Sequence, residues 1–291
     1  MGKPVQYGGQ ALIEGVMMRG PKAMVMAVRL PNGEIEVTQE DINAWSQKPV
    51  LKLPIIRGFV ALLDSLILGT KALMFSANKA VGEEEENLSF WEMALTILIA
   101  LGAGMLLFVG LPTASAHFLE HLFPGTVLQN LLEGLIRLAV LFLYIILISK
   151  LPDIQRVFQY HGAEHKTIFA HEAGEELNVE NVRKYSRLHP RCGTSFLLIV
   201  VIVSIFVFAF LGLEPLWWRI VSRVLLMPLV AGISYELLKF SGRHADSRFC
   251  SLLIAPGLFL QKLTTREPDD TQLEVAIAAL NGIVKSGQEL S

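Results

Sequence analysis

From Met93 to Leu119 the chain contains no Asp, Glu, Lys or Arg, a run longer than the roughly 20 apolar residues that carry an α-helix across the hydrocarbon core of a bilayer. Further apolar runs follow. One passes through LLEGLIRLAVLFLYIILIS, with Arg137 near its start and Lys150 at its end. Another is free of charge from Cys192 to Leu213, and the last covers about 216–240, with Arg219 and Arg223 early and Glu236 late. Hydrophobic residues make up 52% of the chain and charged residues 18%, which excludes a purely soluble reading. The expectation is an all-α integral membrane protein with about four transmembrane helices, in contact with the lipid bilayer. A net charge of −2 and the lack of a basic stripe interleaved with aromatics predict no nucleic-acid partner.

The connection at 112–129 has no Lys or Arg, whereas the next one carries Arg156, Lys166, Arg183, Lys184, Arg187 and Arg191. Basic loops stay in the cytoplasm, so this second loop and both termini are expected there. The two cysteines, Cys192 and Cys250, then lie on the reducing side and are expected as thiols. The N-terminus has no apolar core of signal-peptide length, so it is expected to be retained.

Outside the spans, AMVMAVRLPNGEIEVTQ reads as two strands turning at Asn32-Gly33, a small N-terminal β element. The next helix carries Arg57, Asp64 and Lys71 at intervals of seven, one charged stripe on an apolar cylinder, and fits an interfacial or re-entrant position. The segment RFCSLLIAPGLFLQKL, broken by Pro256-Gly257, is expected to behave similarly, and the acidic run at 83–86 reads as a linker. The tail beyond Glu267 has Leu273, Ala276, Ile277 and Leu280 on one helical face. The resulting division is a cytoplasmic β element (1–50), an interfacial helix with its linker (51–90), a transmembrane hairpin (91–150), a cytoplasmic loop (151–191), a second hairpin (192–240) and a cytoplasmic C-terminal segment (241–291).

The chemistry sits in the loop at 151–191. His161, Glu164 and His165 form an HxxEH pattern on a helix predicted to start at Asp153 and stop at Gly174. Helical spacing puts both imidazoles on one face with the carboxylate directed between them, an arrangement that can hold a divalent metal, with the glutamate as general base. The same residues can also serve as hydrogen-bonded packing groups. A zinc site needs further ligands, and the candidates are the HxxC pair His189 and Cys192, or Glu236. His189 and Cys192 can equally be part of a kinked loop with a buried thiol, and Glu236 can instead form an ion pair with Lys239 or a nearby arginine. His171 falls off the ligand face and His244 lies in a polar stretch, so both are weaker candidates. The arm YGGQALIEGVMMRGP is dense in glycine, which suits close packing against the site, with Glu14 or Arg19 as possible members.

The combination GGQALIEGVMMRGP, YHGAEHKTI, HPRCGTSF and GISYELLKFSGRH followed by APGLFLQKLTTREP resembles the YqhQ-like bacterial membrane proteins, domain-of-unknown-function family 1385. The resemblance covers nearly the whole chain. It implies a multi-pass protein of the bacterial cytoplasmic membrane and a metal-dependent enzyme using His161, Glu164, His165, His189 and Cys192, and it implies no substrate. The leading expectation is a hydrolase holding a divalent metal, Zn2+, and acting on a peptide or lipid-linked substrate. The competing expectation is a non-enzymatic scaffold or carrier, and either could be an oligomer.

Overall fold

A computed structural model describes residues 7–42, 51, 53–81, 90–243 and 247–289. The acidic run at 83–86, His244 and the side chain of Cys250 lie outside the described residues. Strands β1 (Gly8–Leu12), β2 (Gly15–Arg19), β3 (Ala23–Arg29) and β4 (Ile35–Asp41) form an antiparallel meander in chain order. The expected β3–β4 hairpin is present, with Arg29 opposite Ile35 and Gly33 at φ 89°. Two additional strands precede it. The glycine-rich arm folds into the β1–β2 hairpin, closed by Leu12 opposite Gly15. Glycine is depleted in strands in general, which hid these two from a propensity reading. Here it is required by close approach, since a Cβ on Gly15 would lie 2.5 Å from the Ala27 carbonyl oxygen.

Both faces of the sheet are covered, which explains why AMVMAV is continuously apolar rather than alternating. Val16, Met18, Ala23, Val25 and Ala27 pack against the C-terminal helix α10 (Asp270–Glu289), whose Leu273, Ala276, Ile277 and Leu280 are buried as the periodicity requires. Leu12, Met17, Met24, Met26 and Val28 face helix α1 (Ile56–Val81) through Leu68, Ala72 and Phe75. The first turn of α1 meets a different neighbour. A Cβ on Gly58 would lie 2.6 Å from Tyr235 Cβ and 3.0 Å from Gly232 Cα, so helix α8 (Leu216–Arg243) packs backbone to backbone there. The charged stripe of α1 finds a partner at each step: Arg57 pairs with Glu236, Asp64 with Arg19, and Lys71 with Glu40. One helix thus links the sheet to the apolar bundle.

The bundle contains α2 (Phe90–Met105), a π-helical turn (Leu106–Gly110), α3 (Leu111–Phe118), α4 (Thr126–Ile148), α7 (Gly193–Phe208), α8 and α9 (Arg248–Thr264). Among the described residues four helical stretches are long and apolar enough to cross a membrane: 56–80, 95–118, 126–148 and 216–241. Helix α1 meets this length and composition test although its Leu68, Ala72 and Phe75 pack on the sheet, as suits the expected interfacial position, while α7, expected as a span, has 16 residues and falls short. Large apolar side chains such as Leu98, Leu106, Phe118, Phe206 and Phe210 point outward, an exposure that water penalises and lipid does not. Together these features suggest a membrane protein. Helix α9 runs unbroken through Pro256 and packs so closely on α7 that a Cβ at Gly257 would collide with Ser195.

Candidate functional site

Helix α5 (Pro152–Glu172) carries the HxxEH pattern and ends where its sequence signal lies, but Asp153 is not its cap: Leu151 holds the N-cap position without a side-chain hydrogen bond, and Asp153 lies in the first turn. Pro152 occupies the first turn, where its missing N–H costs nothing. At the other end Gly174 adopts φ 75°, its N–H donates to the His171 carbonyl at 3.0 Å, and the Glu175 N–H donates to Ala170 at 3.0 Å. This is a Schellman stop, which needs a residue tolerant of positive φ. The helix is wedged between the sheet, α10 and the backbone after α9. A Cβ on Gly162 would lie against the Arg266 carbonyl, so glycine allows that contact.

The histidine rings are held by backbone. His161 Nδ1 lies 2.8 Å from the Thr264 carbonyl, and His165 Nδ1 lies 2.6 Å from the Arg187 carbonyl. Carbonyls only accept, so both Nδ1 atoms are assigned the proton and both Nε2 atoms keep a free lone pair. Metal-binding histidines are commonly oriented in this way. His161 Nε2 lies 3.2 Å from Cys192 Sγ, and the two imidazoles stand edge to face at 4.4 Å. Ligand atoms of His161, His165 and Cys192 all lie within 4.8 Å of one another. Cys192 sits at the N-cap of α7, where its sulfur accepts from the Thr194 N–H at 3.4 Å. Two anchored imidazoles and a thiol form a donor set suited to a zinc-like ion.

The other expected ligands are placed differently. His189 lies beside the three, its ring 4.4 Å from Phe169 and 5.6 Å from His165. Its Nδ1 accepts from the Arg191 N–H at 3.2 Å, which assigns the proton to Nε2 and removes that lone pair. The Gln261 side chain clamps its backbone on both sides, and Nε2 is buried 3.7 Å from Glu172. Burial, with His165 and Arg191 nearby, pushes its pKa down to about 3, so the ring is neutral. Glu236 is held by the Arg57 guanidinium and the Ile55 N–H, and it is not brought to the cluster. The ion pair with an arginine is formed, and that arginine is Arg57. Glu14 pairs with Arg156 and Arg19 with Asp64, so the arm contributes backbone rather than these side chains.

A cavity of about 430 Å3 opens over the ligand atoms. Its lining includes Gly9 and Gln10 of β1, Glu164, Ile168 and Thr194. Glu164 is buried, and the Gly9 N–H donates to it. Burial raises its pKa to about 7 against the opposing pull of His161. A Cβ on Gly9 would lie 2.8 Å from the Glu164 carboxyl carbon, so glycine there is what lets the strand reach the carboxylate. Sequence reasoning placed the glycine-rich arm, Gly9 included, near the site, but it missed Thr264, Arg187 and Gln261. No local pattern marks a residue whose role is to offer a carbonyl or an amide from another element. A second grouping, His117, Glu120 and Glu214, is more exposed, a setting in which such side chains commonly meet without an ion.

The model of a protein family described as of unknown function, DUF1385, matches residues 53–286. The chain is 38% identical to the uncharacterized protein YqhQ of Bacillus subtilis (strain 168), over 97% of this chain and 93% of that protein. No solved structure matches. The family match over residues 53–286 and the 38% identity over nearly the whole of both chains mean that the chain belongs to the DUF1385 family.

Proposed function

We propose that this protein is a metal-dependent hydrolase of the bacterial cytoplasmic membrane, with His161, His165 and Cys192 as the residues that hold a divalent ion, best suited to zinc. The observation that carries the reading is the convergence of ligand atoms from two backbone-anchored imidazoles and a thiol in the lining of a cavity that also holds a buried carboxylate. Three ligands beside open space favour catalysis, whereas a closed shell of four favours structure. A divalent ion bound there supplies Lewis acidity toward a carbonyl or phosphoryl oxygen. Glu164 accepts and returns a proton at its carboxylate oxygens, and the Gly9 N–H keeps that group turned toward the cavity. Val157, Phe158 and Ile168 line the wall and limit water. The substrate class is a peptide or lipid-linked molecule that reaches the cavity from the membrane surface.

Glu164→Gln tests this reading. The amide oxygen can still accept from Gly9, but the side chain can no longer take up a proton, so fold and metal content are expected to persist while complementation of a deletion strain is lost. Full complementation at equal expression would remove the base and favour the scaffold reading.

We place the α5 loop and both termini in the cytoplasm on the strength of the basic residues between 151 and 191. Glu180 is exposed on the short helix α6 (Val179–Arg183), so Glu180→Cys gives a reporter. It is expected to react with membrane-impermeant maleimide only after the cells are opened. Labelling above the parent protein's background in intact cells would invert the topology.

A further inference from the structure

At the opposite ends of the helices from the α5 cavity, the bundle buries a charge imbalance. Glu133 of α4 accepts from Thr113 Oγ1 at 3.1 Å, Arg137 Nη2 at 2.9 Å, Arg219 Nε at 3.0 Å and Arg223 Nε at 3.3 Å. Two of the three arginines use their remaining nitrogens. Arg137 donates to the Phe108 carbonyl in the π-helical turn at 2.9 Å and to Ser204 at 3.0 Å. Arg223 donates to Asn130 and, at 3.2 Å, to Ser222. Both guanidiniums also lie over the Phe208 ring, Arg137 at 5.3 Å and Arg223 at 5.6 Å from its centroid. Arg219 differs. It is fully buried, only its Nε is bonded, and Nη1 and Nη2 have no partner among the described residues.

Three guanidiniums around one carboxylate leave a net charge of plus two, and arginine cannot shed its proton to relieve it. An uncompensated charge in an apolar bundle is strongly unfavourable unless a counter-charge reaches it. The free edge of Arg219, with its two Nη groups side by side, is the fork that pairs with two oxygens of an oxyanion. Its height is informative. Arg219 is three residues into α8, about 5 Å from the helix start, and exposed Trp217 and Trp218 immediately precede it. Tryptophans at a span end mark the headgroup layer.

We propose that Arg219, backed by Arg223, Arg137 and Asn130, forms a binding site for a phosphate oxyanion, supplied either by a phospholipid headgroup or as free phosphate. The site is separate from the α5 cavity and does not depend on the hydrolase reading. The test uses the full-length protein in a non-ionic detergent, with thermal unfolding followed at matched ionic strength. Four titrants are compared: inorganic phosphate, chloride, a short-chain phosphatidylglycerol and an uncharged glycolipid of equal chain length. Saturable stabilisation by phosphate, or by the phosphatidylglycerol and not the glycolipid, is expected, and which of the two acts identifies the source. In Arg219→Gln the apparent affinity should fall by about tenfold or more. Arg219→Lys keeps the charge and loses the fork, so it should also bind less tightly. The proposal is overturned if chloride stabilises as well as phosphate, if neither phosphate species gives saturation, or if Arg219→Gln responds like wild type. Should the Gln variant not fold, the titrations of wild type against chloride and glycolipid still decide the question.

Discussion

Replacing His161 and His165 together by alanine is expected to lower the divalent-metal content of the detergent-purified protein from about one ion per chain to background, because a lone thiol cannot retain what three converging donors hold. The protein should remain folded. The two rings are anchored through single hydrogen bonds to Thr264 and Arg187, whereas α5 itself is held by Tyr160, Ala163, Ile168 and Ala170 in the core shared with the sheet and α10. Metal lost with fold retained is therefore the expected pair of readings, by elemental analysis and circular dichroism. Wild type and the double variant carrying the same metal would turn the HxxEH pattern into a packing motif and remove the basis of the hydrolase reading. Cys192→Ser should lie between them, since an alcohol replaces the soft donor while His161 and His165 persist.

The second large effect is expected far from that site. Glu133→Leu removes the one carboxylate that three buried arginines share. Leucine is close in size, so the loss is electrostatic rather than a cavity effect. Breaking a buried ionic group by deleting one side costs about 3–5 kcal/mol, much more than the ≈0–1 kcal/mol of an exposed pair. Chemical or thermal unfolding in micelles should show a destabilisation of that order, or the variant should fail to accumulate. The comparison is Glu180→Leu, whose contact with Lys184 is exposed and 4.0 Å long, and which should change little. Similar stability in the two variants would mean that the arginines are neutralised by something other than Glu133.

Much of the framework was legible because its signals are local. The charge-free run before Leu119 becomes α2, the π-helical turn and α3. Gly174 ends α5, Asn32-Gly33 turns β3 into β4, and the apolar face of α10 is the face that is buried. Each depends on neighbours within a few residues, through hydrogen-bond closure, permitted φ or side-chain periodicity. The strands of the glycine-rich arm were not legible for the opposite reason. Gly9 and Gly15 are present because Glu164 and the Ala27 carbonyl, from other elements, come within reach.

The sequence alone determined that the chain holds several helices fit for a membrane, that His161, Glu164 and His165 share one region of a single helix, and that α1 carries a charged stripe at 57, 64 and 71. Tertiary structure decided every partner. It joined Cys192 rather than His189 or Glu236 to the two histidines, gave Glu236 to Arg57, and gathered Arg137, Arg219 and Arg223 from two helices onto Glu133. The physical reason is range: helical periodicity is set by bonds four residues apart, whereas a ligand set or a charge cluster depends on side chains that approach only after distant elements pack.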